Sequence, residues 1–97
     1  ISEERRIAWM AQDHGVRFIP HGWNTAVGLA ADLQLASAFP GTDLVEYLTG
    51  SPFIDDITIG GWQLDADGML SIPTQPGLGL ELDPDAIARY SGVKNLL

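Results

Sequence analysis

The chain has 97 residues, 45% hydrophobic and 19% charged, with no cysteine and a net charge of −8 from thirteen acids against five bases. That is the balance of an ordinary globular protein able to bury roughly 60–65% of its unfolded surface. It excludes disulfides, thiolate nucleophiles and zinc–thiolate sites. It also argues against nucleic acid, which is bound through Lys and Arg, and no apolar run nears the ~18 residues of a membrane span.

Residues 1–14 are predicted as a helix. Ser2 suits the N-cap, Glu3 and Glu4 place negative charge on the positive end of the dipole, and Ile7, Met10, Ala11 and His14 recur at helical spacing. Gly15 is the stop. Val16-Arg17-Phe18-Ile19 is β-branched and aromatic and predicts a short strand, ended by Pro20. His21-Gly22-Trp23-Asn24 is then a loop, with Asn24 or Thr25 capping a helix that runs to about Phe39 and closes at Pro40-Gly41. In that helix Leu29, Leu33 and Ala36 mark a buried face, and its many small residues let it lie close on a sheet. Leu44-Val45-Glu46-Tyr47 is predicted as a second strand.

Residues 1–50 therefore alternate helix, strand, helix, strand with short connections, the pattern of a parallel α/β fold. Two such units leave their edges and apolar faces bare, and a complete (β/α)-barrel takes about 250 residues. The expectation is an α/β fold in which residues 1–50 are the final βα units of an incomplete (β/α)-barrel, whose remaining strands lie upstream of Ile1. Residues 51–97 read instead as a loop-rich C-terminal extension. Leu64 and Met69–Ile72 flank a Gly-containing turn and predict a hairpin. Asp83-Pro84 is a strong start for a short helix over Asp85–Tyr90, ending at Ser91-Gly92.

Reactive groups in a (β/α)-barrel stand at the C-terminal ends of the strands. His21 follows the first strand and Glu46 lies near the end of the second, so both point to one face. His21 suits a general base, since imidazole titrates near neutral pH; the alternative is a loop histidine bonded to nearby backbone. Glu46, between Val45 and Tyr47 on a strand expected to be buried, requires a partner; a structural ion pair is the alternative role. Trp23 either lines the pocket mouth or packs on the helix. His14, at a helix C-terminus, reads as structural. Asp65-Ala66-Asp67-Gly68 echoes a calcium loop but places Met69 at the next ligand position, and so reads as a turn. No phosphate-binding glycine pattern and no nucleophile elbow is present.

Phe18-Ile19-Pro20-His21-Gly22-Trp23, the Ala-rich helix and Leu44-Val45-Glu46-Tyr47 resemble the end of the mandelate racemase and muconate-lactonizing branch of the enolase superfamily. Asp67–Pro73 and Pro76–Glu81 resemble that family's tail, which would pack on a capping domain; there Trp62 and the hairpin are structural. The resemblance implies an enzyme that binds a small carboxylate substrate to Mg²⁺ and abstracts the proton α to the carboxylate. His21 matches the base at the end of the seventh strand, whose Asp partner would precede Ile1. Glu46 matches the eighth-strand acid, which aids the substrate carboxylate as a hydrogen-bond donor. That role requires a protonated carboxyl with its pKa raised by burial. Trp23 is assigned to substrate binding. The metal ligands belong to earlier strands, so none is assigned in this chain.

The function this implies is acid-sugar dehydration by a Mg²⁺-dependent lyase, with a racemase or epimerase of a 2-hydroxy acid as the alternative. Cycloisomerisation ranks lower, because that subgroup generally lacks the strand-seven His. The further expectations are a cytoplasmic homo-oligomer at full length, and an inactive chain when these 97 residues stand alone. The rival from another class is a free-standing, non-enzymatic α/β binding domain, which requires the 97 residues to fold by themselves.

Overall fold

The computed structural model describes residues 1–92. Helix α1 spans Ser2–Asp13. Ile1, rather than Ser2, occupies the cap, without a side-chain hydrogen bond, so α1 begins one residue earlier than the Ser2 signal suggests. Gly15 ends it in the left-handed region (φ 64°). His14 caps the helix with its Nδ1 2.9 Å from the Met10 carbonyl oxygen, the structural role expected of it. The periodicity of α1 is less informative than it looks. Ala8 is its buried residue, while Ile7 and Met10 stand 49% and 64% exposed.

Helix α2, Ala26–Ser37, is the centre of the fold. Thr25 is its N-cap, in extended conformation, and the helix stops two residues short of Phe39. Leu29, Leu33 and Ala36 are buried as the pattern predicts, but so are Ala26, Ala30, Leu35 and Asp32. The helix is therefore covered on more than one side, which a helix apolar nearly all round requires. One side packs Leu35 and Phe39 against Ala8 of α1, with Phe18 alongside. The other packs Leu29 and Leu33 against Ile54, with Val45, Tyr47, Leu48, Trp62 and Leu70 around them. Trp62 is thus a packing residue.

The two predicted strands are extended but form no ladder; among the described residues no β-strand is assigned, only isolated bridges. A ladder needs partners in register on the backbone, and here side chains span the gap instead. Arg17 binds Asp43 at one end, and His21 and Gly22 both reach Glu46 at the other. Pairing 17 with 43 and 21–22 with 46 makes the segments run side by side in the same direction, as a parallel arrangement demands. Their apolar side chains are left open: Val16, Ile19 and Leu44 are 59%, 43% and 50% exposed. These are the bare faces expected of two βα units without neighbours.

The second half is held by turns. Helix α3, Pro52–Asp55, is a single turn that the Gly/Pro-rich sequence did not disclose, and its Ile54 is fully buried. The predicted hairpin reduces to one antiparallel bridge, Leu64 to Leu70. Its turn is organised by Asp65, whose Oδ1 accepts from the backbone N–H of Asp67 and Met69, so this aspartate serves the turn, as the sequence suggests. A second bridge joins Thr58 to Leu82. Helix α4, Pro84–Ser91, starts as expected. Asp83 caps it by accepting from the N–H groups of Asp85 and Ala86, and Gly92 closes it at φ 66°.

Candidate active site

The loop after the first extended segment carries His21, and the end of the second carries Glu46. His21 Nδ1 lies 2.6 Å from Glu46 Oε2, and the same oxygen accepts the Gly22 N–H at 2.8 Å. Chain direction and side-chain contact therefore bring together the two residues that position alone had placed on one face. Both are open to solvent, with side chains 75% and 48% exposed.

The surroundings of Glu46 differ from the expectation. Its carboxyl is exposed rather than buried, and the Gly22 N–H, followed by the His21 hydrogen bond, holds its pKa below the usual carboxylate value. A donor role needs a raised pKa; in this chain the two hydrogen bonds favour the ionised form and push it the other way. Glu46 is an ionised acceptor here. A carboxylate on Nδ1 requires that nitrogen to carry a proton, so in the neutral form of the ring Nε2 is the acceptor.

Gly22 escaped the sequence reading except as part of the loop. It is buried, and a β-carbon placed on it would come within 2.0 Å of the Glu46 carbonyl oxygen and 2.9 Å of the Glu46 Cβ. Only a glycine allows the backbone to approach this closely. The signal that could have revealed it is the His-Gly step just past a strand end.

Trp23 is 70% exposed and borders an open cleft with Asn24, Thr25, Gly28, Leu48, Ser51 and Phe53. Asp32, also missed, is a buried carboxyl 3.5 Å from the Asn24 amide nitrogen. Burial, and then the negative charge of Glu4, raise its pKa. An Asp within an apolar helix stretch was the available clue.

Among the described residues no group of three or more His, Asp or Glu side chains converges as a metal site. Mg²⁺ favours octahedral oxygen ligands, whereas the His21–Glu46 pair offers one imidazole and one carboxylate. The described residues do not fit a Mg²⁺ site. No described helix is long and apolar enough to cross a membrane.

Residues 1–86 match the family described as enolase C-terminal domain-like. A D-galactarolactone cycloisomerase from Agrobacterium fabrum is 35% identical, over 92% of this chain and 26% of that protein. A D-galactonate dehydratase family member from Streptomyces bingchenggensis is 39% identical, over 93% of this chain and 22% of its own length. Among solved structures, one described as a predicted mandelate racemase from Rhodobacter sphaeroides superposes with a TM-score of 0.71 at 30% identity, covering 89% of this chain and 22% of that one. The chain thus spans about a quarter or less of the proteins it matches. The resemblance carried by the His-Gly-Trp loop, the Ala-rich helix and the Pro/Gly-rich tail is borne out, and the chain belongs to the enolase C-terminal domain-like family.

Proposed function

We propose that these residues form the closing part of a (β/α)-barrel enzyme that removes the proton α to a carboxylate, and that the whole enzyme dehydrates an acid sugar. The observation that carries this reading is the His21–Glu46 contact of 2.6 Å. Glu46 fixes the imidazole with Nδ1–H toward itself, so Nε2 is the atom that accepts the proton. The α-C–H bond breaks first and reversibly, its electron pair passing onto the carboxylate as an enediolate; that pair then returns to form the C=C bond as the β-C–O bond breaks. The leaving hydroxide takes a proton from the imidazolium and departs as water, and the enol tautomerises to a 2-oxo acid. His21 thereby acts as base and then as acid, and returns to its starting state.

Trp23, exposed on the neighbouring loop position, is assigned to the wall of the substrate pocket. Stabilising the charge that develops on the substrate carboxylate is a task for a cation such as Mg²⁺. The described residues offer no set of oxygen ligands for such an ion, so these are assigned to the earlier strands, and no step above is routed through the ion. Dehydration is supported by the likeness to the D-galactonate dehydratase family member. The structural likeness to a protein described as a mandelate racemase favours the second reading, in which the proton returns to the same carbon from the opposite face and the hydroxyl stays.

The test is His21→Asn in the full-length enzyme, incubated in D₂O with a panel of acid sugars. The expected result is loss of both α-deuterium incorporation and 2-oxo acid formation. A variant that still exchanges the α-proton at the wild-type rate removes His21 from the chemistry. A wild-type enzyme that exchanges and inverts the α-carbon without releasing water selects the racemase reading.

A further inference from the structure

Asn24 makes a contact that its place before the α2 cap does not explain. Its Nδ2 donates to the main-chain carbonyl of His21 at 3.1 Å and lies 3.5 Å from Asp32 Oδ2. Both neighbours are oxygen acceptors, so the amide must present its NH₂ to them, and that nitrogen has one hydrogen for each. Gly28 and Asp32, four residues apart, share one face of α2, and Asn24, just before the N-cap, lies over that face at Gly28. Gly28 is the seat. A β-carbon there would stand 2.4 Å from Asn24 Cβ and 2.9 Å from its Cγ, so any larger residue displaces the amide.

Asp32 is 4% exposed, and among the described residues its only side-chain partner within hydrogen-bond reach is Asn24. A carboxyl taken so far out of water is costly without a purpose. Here its effect is to hold the Asn24 amide in one orientation. The main chain between His21 and Asn24 is thereby pinned from beneath, through the His21 carbonyl, while the Gly22 N–H is pinned from the other side by Glu46.

We propose that Asn24 is a positioning residue for the proton-transfer site: seated on Gly28 and steered by Asp32, it holds the His21–Gly22 turn so that the imidazole meets Glu46. This rests on the reading of His21 as the base. The Asn24 amide nitrogen is committed to the His21 carbonyl and to Asp32, so its action on the reaction runs through His21. A displacement of about 1 Å at a reacting group is enough to cost on the order of 100-fold in rate.

The experiment uses the full-length enzyme with Asn24→Ala, Asn24→Asp, Gly28→Ala, Asp32→Ala and Asp32→Asn. The expected result is a fall in kcat of about 10- to 100-fold for the two Asn24 variants and for Gly28→Ala, with KM changed by less than about threefold. Asp32→Asn, which still offers an oxygen to Asn24, recovers most of the kcat lost in Asp32→Ala. Asn24→Asp keeps the shape of the side chain but removes the donor, and so reports on the hydrogen bond even if the alanine variant folds poorly. Unchanged kcat in Asn24→Asp, or a lowered melting midpoint with kcat intact, assigns Asn24 to helix stability and overturns the proposal. Failure of the underlying reading is separate: in that case His21→Asn also leaves α-proton exchange untouched.

Discussion

His21 Nδ1 and Glu46 Oε2 meet at 2.6 Å across 25 residues of sequence, and the same carboxylate oxygen takes the Gly22 N–H. One acceptor therefore serves both the side chain and the adjoining backbone of the same turn. This couples the orientation of the imidazole to the approach of the two extended segments.

Removing the charge from that acceptor should leave the turn in place while loosening the ring. Glu46→Gln keeps an oxygen for the Gly22 N–H but loses the anion that holds the Nδ1 proton. In the full-length enzyme kcat is expected to fall on the order of 100-fold, with the protein still folded by circular dichroism. The pH dependence follows from the lowered pKa of Glu46, caused first by the Gly22 N–H and then by His21. A depressed carboxylate contributes stability that is present above its unfolded value and lost as pH falls through its folded value. The His21–Glu46 hydrogen bond should therefore persist down to about pH 4.5, the ordinary carboxylate value, and give way only below it. The ¹⁵N shift of His21 Nδ1 followed against pH reads this directly; release of the imidazole well above pH 4.5 contradicts it.

Gly22→Ala tests the close approach. Its backbone dihedrals are not the issue, since Gly22 is not among the positive-φ glycines. The obstacle is the Glu46 main chain, 2.0 Å from the added carbon, and backbone cannot swing aside as a side-chain tip can. The segments must part, at a cost of about 1–3 kcal/mol of overpacking. Both a lower melting midpoint and loss of activity are expected. A crystal structure of the variant with the His21–Glu46 distance unchanged would falsify the account.

Much of this site was legible because strand direction and strand ends are written in local chemistry. Val16–Ile19 followed by Pro20, and Leu44–Tyr47 after Pro40-Gly41, were enough to place His21 and Glu46 on one face. The state of Glu46 was not legible. Whether a carboxylate on a strand is buried or open depends on what lies over it, and the N–H that lowers its pKa belongs to a residue 24 positions away. Helix α3 was hidden for a different reason. Four residues beginning with a proline carry too little periodicity to distinguish one helical turn from a loop, and Ile54 becomes a core residue only through α2. Asp32 was not legible because a lone carboxylate between Leu29 and Leu33 carries no periodicity of its own to mark it as buried.

Asp32 should leave a signature in stability against pH. Burial, and next the charge of Glu4, raise its pKa; the Asn24 contact and His21 act in the opposite sense. A group raised above its unfolded value, 3.8 for Asp, stabilises fully below that value and loses its contribution as pH rises through the folded one. Asp32→Asn removes this loss. The difference in melting midpoint between Asp32→Asn and wild type should therefore grow in favour of the variant as pH is raised from about 4 to 7. Parallel curves across that range would mean that Asp32 titrates as it does in the unfolded chain.

The last prediction concerns what joins the tail to the helices. Ile54 has no exposed surface and packs on Leu29 and Leu33 of α2, with Trp62 and Leu70 from the tail beside it. It is the point where α2, α3 and the Leu64–Leu70 turn share one apolar cluster. Truncation to alanine removes three methyl or methylene groups from a site whose walls belong to separate segments, and a helix, a single turn and a bridged loop cannot collapse together onto the gap. Ile54→Ala should cost about 2–5 kcal/mol, and Ile54→Val about 0.5–1.5 kcal/mol. Chemical denaturation of the full-length protein measures both. If the tail were held independently of α2, Ile54→Ala would fall in the range of a surface change, within about 0.5 kcal/mol, and proteolysis of the tail would be no faster than in wild type. The expected outcome is the reverse: the variant loses stability and its tail is cleaved sooner, because the cluster that anchors it has been opened at its centre.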